Sequence, residues 1–119
     1  MIKFREKGQC IEGNPFDVAK SKLEELITNC SKYKIGKTGQ TLDERFSQYQ
    51  SNGEDFERIE ELYRSKSFDV VSNLESDLID YYINDAKCKN IKDGEHSIND
   101  HMDIEAEVYF VYVVLKLKE

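Results

Sequence analysis

Lys32, Lys34, Lys37 and Arg45 gather in the stretch Ser31-Lys32-Tyr33-Lys34-Ile35-Gly36-Lys37-Thr38 and the Thr41-Leu42-Asp43-Glu44-Arg45 that follows, with no acidic residue before Asp43. A local cluster of cations suits an anionic substrate, and an ordinary mixed surface is the plainer reading of the same charges. Arg45 is the most telling. If Thr41 caps a helix with Glu44 at its N3 position, a reciprocal capping box forms, and Leu42, Phe46 and Tyr49 make the helix's apolar stripe. Arg45 then lies on the margin of that stripe, where an always-charged guanidinium is costly unless it faces a cleft or an anion. Gly36-Lys37-Thr38 imitates the end of a phosphate-binding P-loop. That loop needs a glycine where Ser31 stands, and without it the backbone cannot wrap a phosphate.

Several elements must position these residues. Asn14 followed by Pro15 predicts a helix start, after which Phe16, Ala19, Leu23, Leu26, Ile27 and Cys30 share one face. A short strand over 33–37 leads to the Arg45 helix, which runs from Leu42 to about Gln50 and stops at Ser51-Asn52-Gly53. Residues 56–63 fit a helical period, through Phe56, Ile59, Leu62 and Tyr63. A long helix is expected over 68–84, with Val71, Leu74, Leu78 and Tyr81 as its core stripe and Glu75 adjoining it. Residues 85–105 read as a polar loop, and residues 2–4 as a short strand. The run Val108-Tyr109-Phe110-Val111-Tyr112-Val113-Val114-Leu115 is β-branched and aromatic throughout, which predicts a strand covered on both faces in the middle of a sheet.

A chain of 119 residues holds one domain. Hydrophobic residues at 39% against charged ones at 34%, with one proline, exclude a disordered chain. No apolar run approaches the roughly 20 residues of a membrane span. The start Met1-Ile2-Lys3-Phe4-Arg5 lacks a signal-peptide core, so a cytoplasmic location is expected. Cys10, Cys30 and Cys88 are widely spaced and fit reduced thiols better than disulfides. His96 and His101 beside Cys88 make only a weak zinc pattern. A net charge of −7 argues against coating nucleic acid by bulk electrostatics.

Tyr33-Lys34-Ile35-Gly36-Lys37-Thr38, Arg45, the hydrophobic segment at 56–63, Glu75 and Asn90 together resemble, in order and spacing, the GIY-YIG nuclease superfamily. The resemblance covers about residues 33–91. It implies an α+β fold, a small antiparallel sheet of about three strands flanked by helices, and it turns 56–63 from helix to strand. The family's first motif, a strand whose tyrosine lies beside the attacking water, is missing before Tyr33. The C-terminal strand is expected to replace it, as in a circular permutation, with Tyr109 or Tyr112 supplying the phenol. Lys34 stands where the second motif usually has a tyrosine, and Tyr49 where many members have a histidine.

What the resemblance implies is an endonuclease that hydrolyses DNA phosphodiester bonds with Mg²⁺ or Mn²⁺. Lys34 or a C-terminal tyrosine would be the base, Arg45 the phosphate clamp, Glu75 the ligand of a mostly hydrated metal ion, and Asn90 a structural residue. Plainer readings exist for each. Arg45 pairs with a carboxylate, Glu75 belongs to a capping box begun at Ser72, or Lys34 is a solvated strand residue. A catalytically silent domain of the same fold, binding nucleic acid or a protein partner, is the alternative function. Oligomeric state and DNA preference are not legible.

Overall fold

The computed structural model describes residues 14–90 and 106–118. The expected strand at 2–4 and the histidines at 96 and 101 lie outside them. Six elements follow in order: α1 (Pro15–Ile27), β1 (Cys30–Thr38), α2 (Leu42–Ser51), β2 (Arg58–Ser65), α3 (Phe68–Tyr82) and β3 (Tyr109–Leu117). The class is α+β, a three-stranded antiparallel sheet of order β1-β3-β2 flanked by helices.

β3 occupies the centre because its side chains are apolar on both faces, and only a strand with neighbours on both sides and cover above and below removes them all from water. Val111 through Leu115 are fully buried. Their alternation divides the core in two. Tyr109, Val111, Val113 and Leu115 join Tyr33, Ile35 and Leu62 against α1 and α3, whereas Tyr112 and Val114 meet Tyr49 and Phe56 on the α2 side. Gly36 lies directly opposite Tyr112 in the β1–β3 register.

The helices start as their capping residues dictate. Asn14 accepts from the Asp17 N–H at 2.9 Å with Pro15 in the first turn, and Thr41 with Glu44 completes the reciprocal capping box. Gly53, with φ of 79°, takes the left-handed turn after α2 that a β-carbon would strain.

Four expectations are corrected. α1 ends at Ile27, and Cys30 opens β1 instead of closing the helix, because residues 30–38 pair with β3 along their whole length. Residues 58–65 form β2, the strand that the resemblance implied at 56–63, and not the helix of the apolar period; a register irregularity between Glu61 and Tyr63 breaks the strict alternation that would have marked a strand. On α3, Tyr81 is 58% exposed, and Glu75, Ile79 and Tyr82 complete the buried face in its place. Ser67, not Ser72, caps α3, so Glu75 has no capping role.

Among the described residues β1 is an edge strand of the sheet, and a turn from the end of α3 covers part of its outer side. Tyr33 donates its N–H to the Lys87 carbonyl and accepts from the Lys89 N–H, at 2.9 and 2.8 Å. The Asn90 amide continues the pairing as if it were backbone: its Oδ1 accepts from the Ile35 N–H and its Nδ2 donates to the Ile35 carbonyl, both at 2.8 Å. An edge left open is a template for unwanted strand pairing. Here it is closed as far as Ile35.

Candidate functional site: an arginine on a tyrosine pair

Gly36 permits the central contact. The Tyr112 ring lies across the place where a side chain on Gly36 would stand, and a β-carbon there would be 2.5 Å from the Tyr112 Cζ. With nothing in the way, the Tyr112 hydroxyl reaches α2. It accepts from Arg45 Nε at 2.8 Å and lies 2.7 Å from the Tyr49 hydroxyl. Tyr49 and Tyr112 meet edge to face, with centroids 6.1 Å apart, and the Arg45 guanidinium carbon stands 5.2 Å from the Tyr49 ring centre. Arg45 Nη1 donates to Gln48 at 2.8 Å.

This arrangement answers the question that the helix pattern raises about Arg45. The guanidinium is partly buried, it has no carboxylate partner among the described residues, and its neighbours are the Tyr112 and Tyr49 phenols and the Gln48 side chain. Phenol oxygens and an aromatic face orient it without neutralising it. Tyr112 is fully buried, and burial pushes its hydroxyl above the ordinary tyrosine range despite the opposing Arg45 charge. The phenol is therefore protonated at neutral pH, a hydrogen-bonding support and not a ready base.

The other expected site residues have partners of their own, although Lys34 shares the Tyr49 ring with Arg45 and the Glu75 charge reaches Tyr112. Glu75 is fully buried on α3, and its carboxylate receives the ammonium of Lys37, itself 4% exposed, at 3.1 Å. By strand alternation Lys37 points to the α3 face together with Tyr33 and Ile35, opposite to the face that carries Tyr112 and Arg45. Lys34 returns to the α2 side, where its ammonium is 3.8 Å from the Glu54 carboxylate and 5.8 Å from the Tyr49 ring centre. Tyr109 is a core residue on the α3 face, edge to face with Phe68 at 5.6 Å, so it does not join Arg45. Of the two C-terminal tyrosines, only Tyr112 reaches the arginine.

A hydrated Mg²⁺ does not fit at Glu75 as the side chain stands. The carboxylate is sealed from solvent, its cation is Lys37, and no group of three His, Cys, Asp or Glu side chains able to hold a metal ion exists among the described residues. No step through a metal follows from this geometry. Among the described residues, no helix is long and apolar enough to cross a membrane.

The sequence reading missed Lys37 as the partner of Glu75, although alternation from Tyr33 and Ile35 already placed it on the inner face. It also missed the Tyr49–Tyr112 contact, because spacing carries no signal for a pair so distant in sequence. No family model, no curated protein and no solved structure matches the chain.

Proposed function

We propose that this chain is a GIY-YIG-like domain that grips the phosphate backbone of DNA through Arg45, the binding form of that fold and not the cleaving one. One observation carries the reading: Arg45 is partly buried and held in place, without a carboxylate partner among the described residues. A guanidinium fixed this way presents its remaining N–H donors as a preorganised fork, which matches the two oxygens of a phosphate. DNA as the source of that phosphate rests on the resemblance of residues 33–91 to the nuclease superfamily.

The endonuclease reading comes second. It is favoured by Tyr112, whose phenol stands beside Arg45 and over Gly36, the role that the resemblance gives to the tyrosine of the missing first motif. Against it stand the sealed Glu75 and the burial of that phenol. Gel-shift titration of a short duplex at low salt tests the first reading. Wild type should bind, and Arg45→Ala should lose about 10- to 100-fold in affinity, as expected for one charge-assisted contact. Equal binding by the two proteins would remove Arg45 from the interface. Nicking of a supercoiled plasmid by wild type in Mg²⁺ or Mn²⁺ would put the endonuclease first.

A further inference from the structure

A cleft of about 300 Å³ opens beside Tyr49, lined by Lys32, Lys34, Gly53, Glu54, Asp55, Phe56 and Lys89. Its charges are arranged unevenly. Glu54 faces Lys34 at 3.8 Å, and Asp55 faces Lys116 at 2.9 Å from outside the cleft. Lys32 makes no close ion pair among the described residues, although its charge reaches the Asp55 carboxyl and, behind the bond from Lys116, helps to hold it below the ordinary carboxylate range, and Lys89 makes none. Both are fixed through their backbone. Lys32 is a β1 residue whose ammonium stands 4.9 Å over the Phe56 ring, and Lys89 is bonded to the β1 edge through its N–H to the Tyr33 carbonyl at 2.8 Å.

The cleft is continuous with the arginine site through one ring. Lys34, a wall of the cleft, and Arg45 both stand over Tyr49, at 5.8 and 5.2 Å from its centre. On a chain whose net charge is −7, Lys32 and Lys34 on β1, Lys89 bonded to its edge and Arg45 on α2 form a local group of cations, with Glu54 and Asp55 among them.

We propose that this cleft is a second phosphate subsite, so that a nucleic-acid strand engaging Arg45 continues past Tyr49 and sets a further phosphate between Lys32 and Lys89. The inference rests on the proposed function and names what that reading does not, the direction in which the strand leaves the arginine. Backbone-anchored lysines bind as point charges with little geometric demand, which suits a neighbouring phosphate better than a base edge. A nucleic acid is preferred to an acidic peptide because the planar fork of Arg45 matches the two oxygens of a phosphate, and a phosphodiester chain presents further phosphates to the lysines beside it.

The test is fluorescence anisotropy with a labelled 20-nucleotide single strand across a NaCl series, for wild type, Arg45→Ala and the Lys32→Ala/Lys89→Ala double variant, each first checked for an unchanged melting temperature. Each phosphate contact contributes about 0.7 to the slope of log K against log salt for single strands. The double variant should therefore be shallower than wild type by up to about 1.4. If wild type and Arg45→Ala differ while the double variant keeps the wild-type affinity and slope, the second subsite is wrong and the Arg45 reading stands. If only the double variant is impaired, the cleft binds the strand and the Arg45 reading falls. Binding of poly-glutamate as tight as that of DNA, and lost in the double variant, would overturn the nucleic-acid assignment, as would a wild type that binds no strand at low salt.

Discussion

Lys37 and Glu75 show how far a residue's type can mislead about its task. A glutamate on a helix face beside a core stripe reads as a metal ligand once the surrounding order resembles a nuclease, yet its carboxylate lies in the core against a lysine ammonium. Losing one member of a buried pair leaves an uncompensated charge, at a cost of about 3–5 kcal/mol, whereas replacing both by apolar residues is often close to neutral. Glu75→Ala should therefore lower the unfolding free energy by about that amount in urea denaturation. The Lys37→Met/Glu75→Leu double variant should recover most of the loss. A Glu75→Ala protein as stable as wild type would mean that the carboxylate is not held as described. Arg45 is the opposite case. Its position on the margin of an apolar stripe was legible from helical spacing, and so was the requirement for an unusual partner. That the partner is the Tyr112 hydroxyl depends on the strand pairing that sets Tyr112 opposite Gly36.

At the scale of elements, legibility followed local rules. The capping pairs Asn14–Pro15 and Thr41–Glu44, the left-handed Gly53 and the unbroken apolar run of β3 each specify their element without reference to the rest of the chain, and each stands where those rules put it. β2 did not, since its bulge and its half-exposed face disturb the two-residue period, and only the family resemblance pointed to a strand. The covering of β1 by residues 87–90 was legible only as Asn90 in a structural role. Its reason is the need to satisfy a sheet edge, which depends on the finished topology. Asn90→Ala would leave the Ile35 N–H and carbonyl unpaired where they are buried, so a loss of about 2 kcal/mol is expected in chemical denaturation. Asn90→Asp should remain impaired, because an ionised carboxylate accepts from the Ile35 N–H but cannot donate to its carbonyl. Full stability of Asn90→Ala would show that the edge needs no such cover.

Across the whole molecule, tyrosines link the two half-cores to pH. Burial raises the hydroxyl pKa of Tyr33, Tyr82 and Tyr112, reinforced in Tyr33 by its bond to Asp85 at 2.7 Å and in Tyr82 by its bond to Glu24 at 2.6 Å. Below about pH 10 these groups are protonated in both folded and unfolded chains, and their contribution is fully present. Above it the unfolded chain releases the protons and the folded chain keeps them, so stability falls as pH rises, by up to about 1.4 kcal/mol per pH unit for each tyrosine. Tyr33→Phe should flatten that alkaline decline by about half a proton on average, measured as unfolding free energy between pH 9 and 11. An unchanged slope would mean that Tyr33 ionises as readily in the folded chain as in the unfolded one.

The acidic balance of the whole chain leaves the cations of β1 and α2 as the region suited to an anion, and Arg45 is oriented there by its bonds to Tyr112 and Gln48. The most direct measurement follows the Arg45 side chain itself. In a ¹H–¹⁵N correlation spectrum the Nε–H, sheltered by its bond to Tyr112, should give a resolved signal that Arg45→Lys removes and so assigns. Titration with a short single-stranded DNA at low salt should move that signal saturably, together with the amides of Gln48 and Tyr49. A DNA that binds while the Arg45 signal stays fixed would contradict the claim that this guanidinium is the phosphate contact.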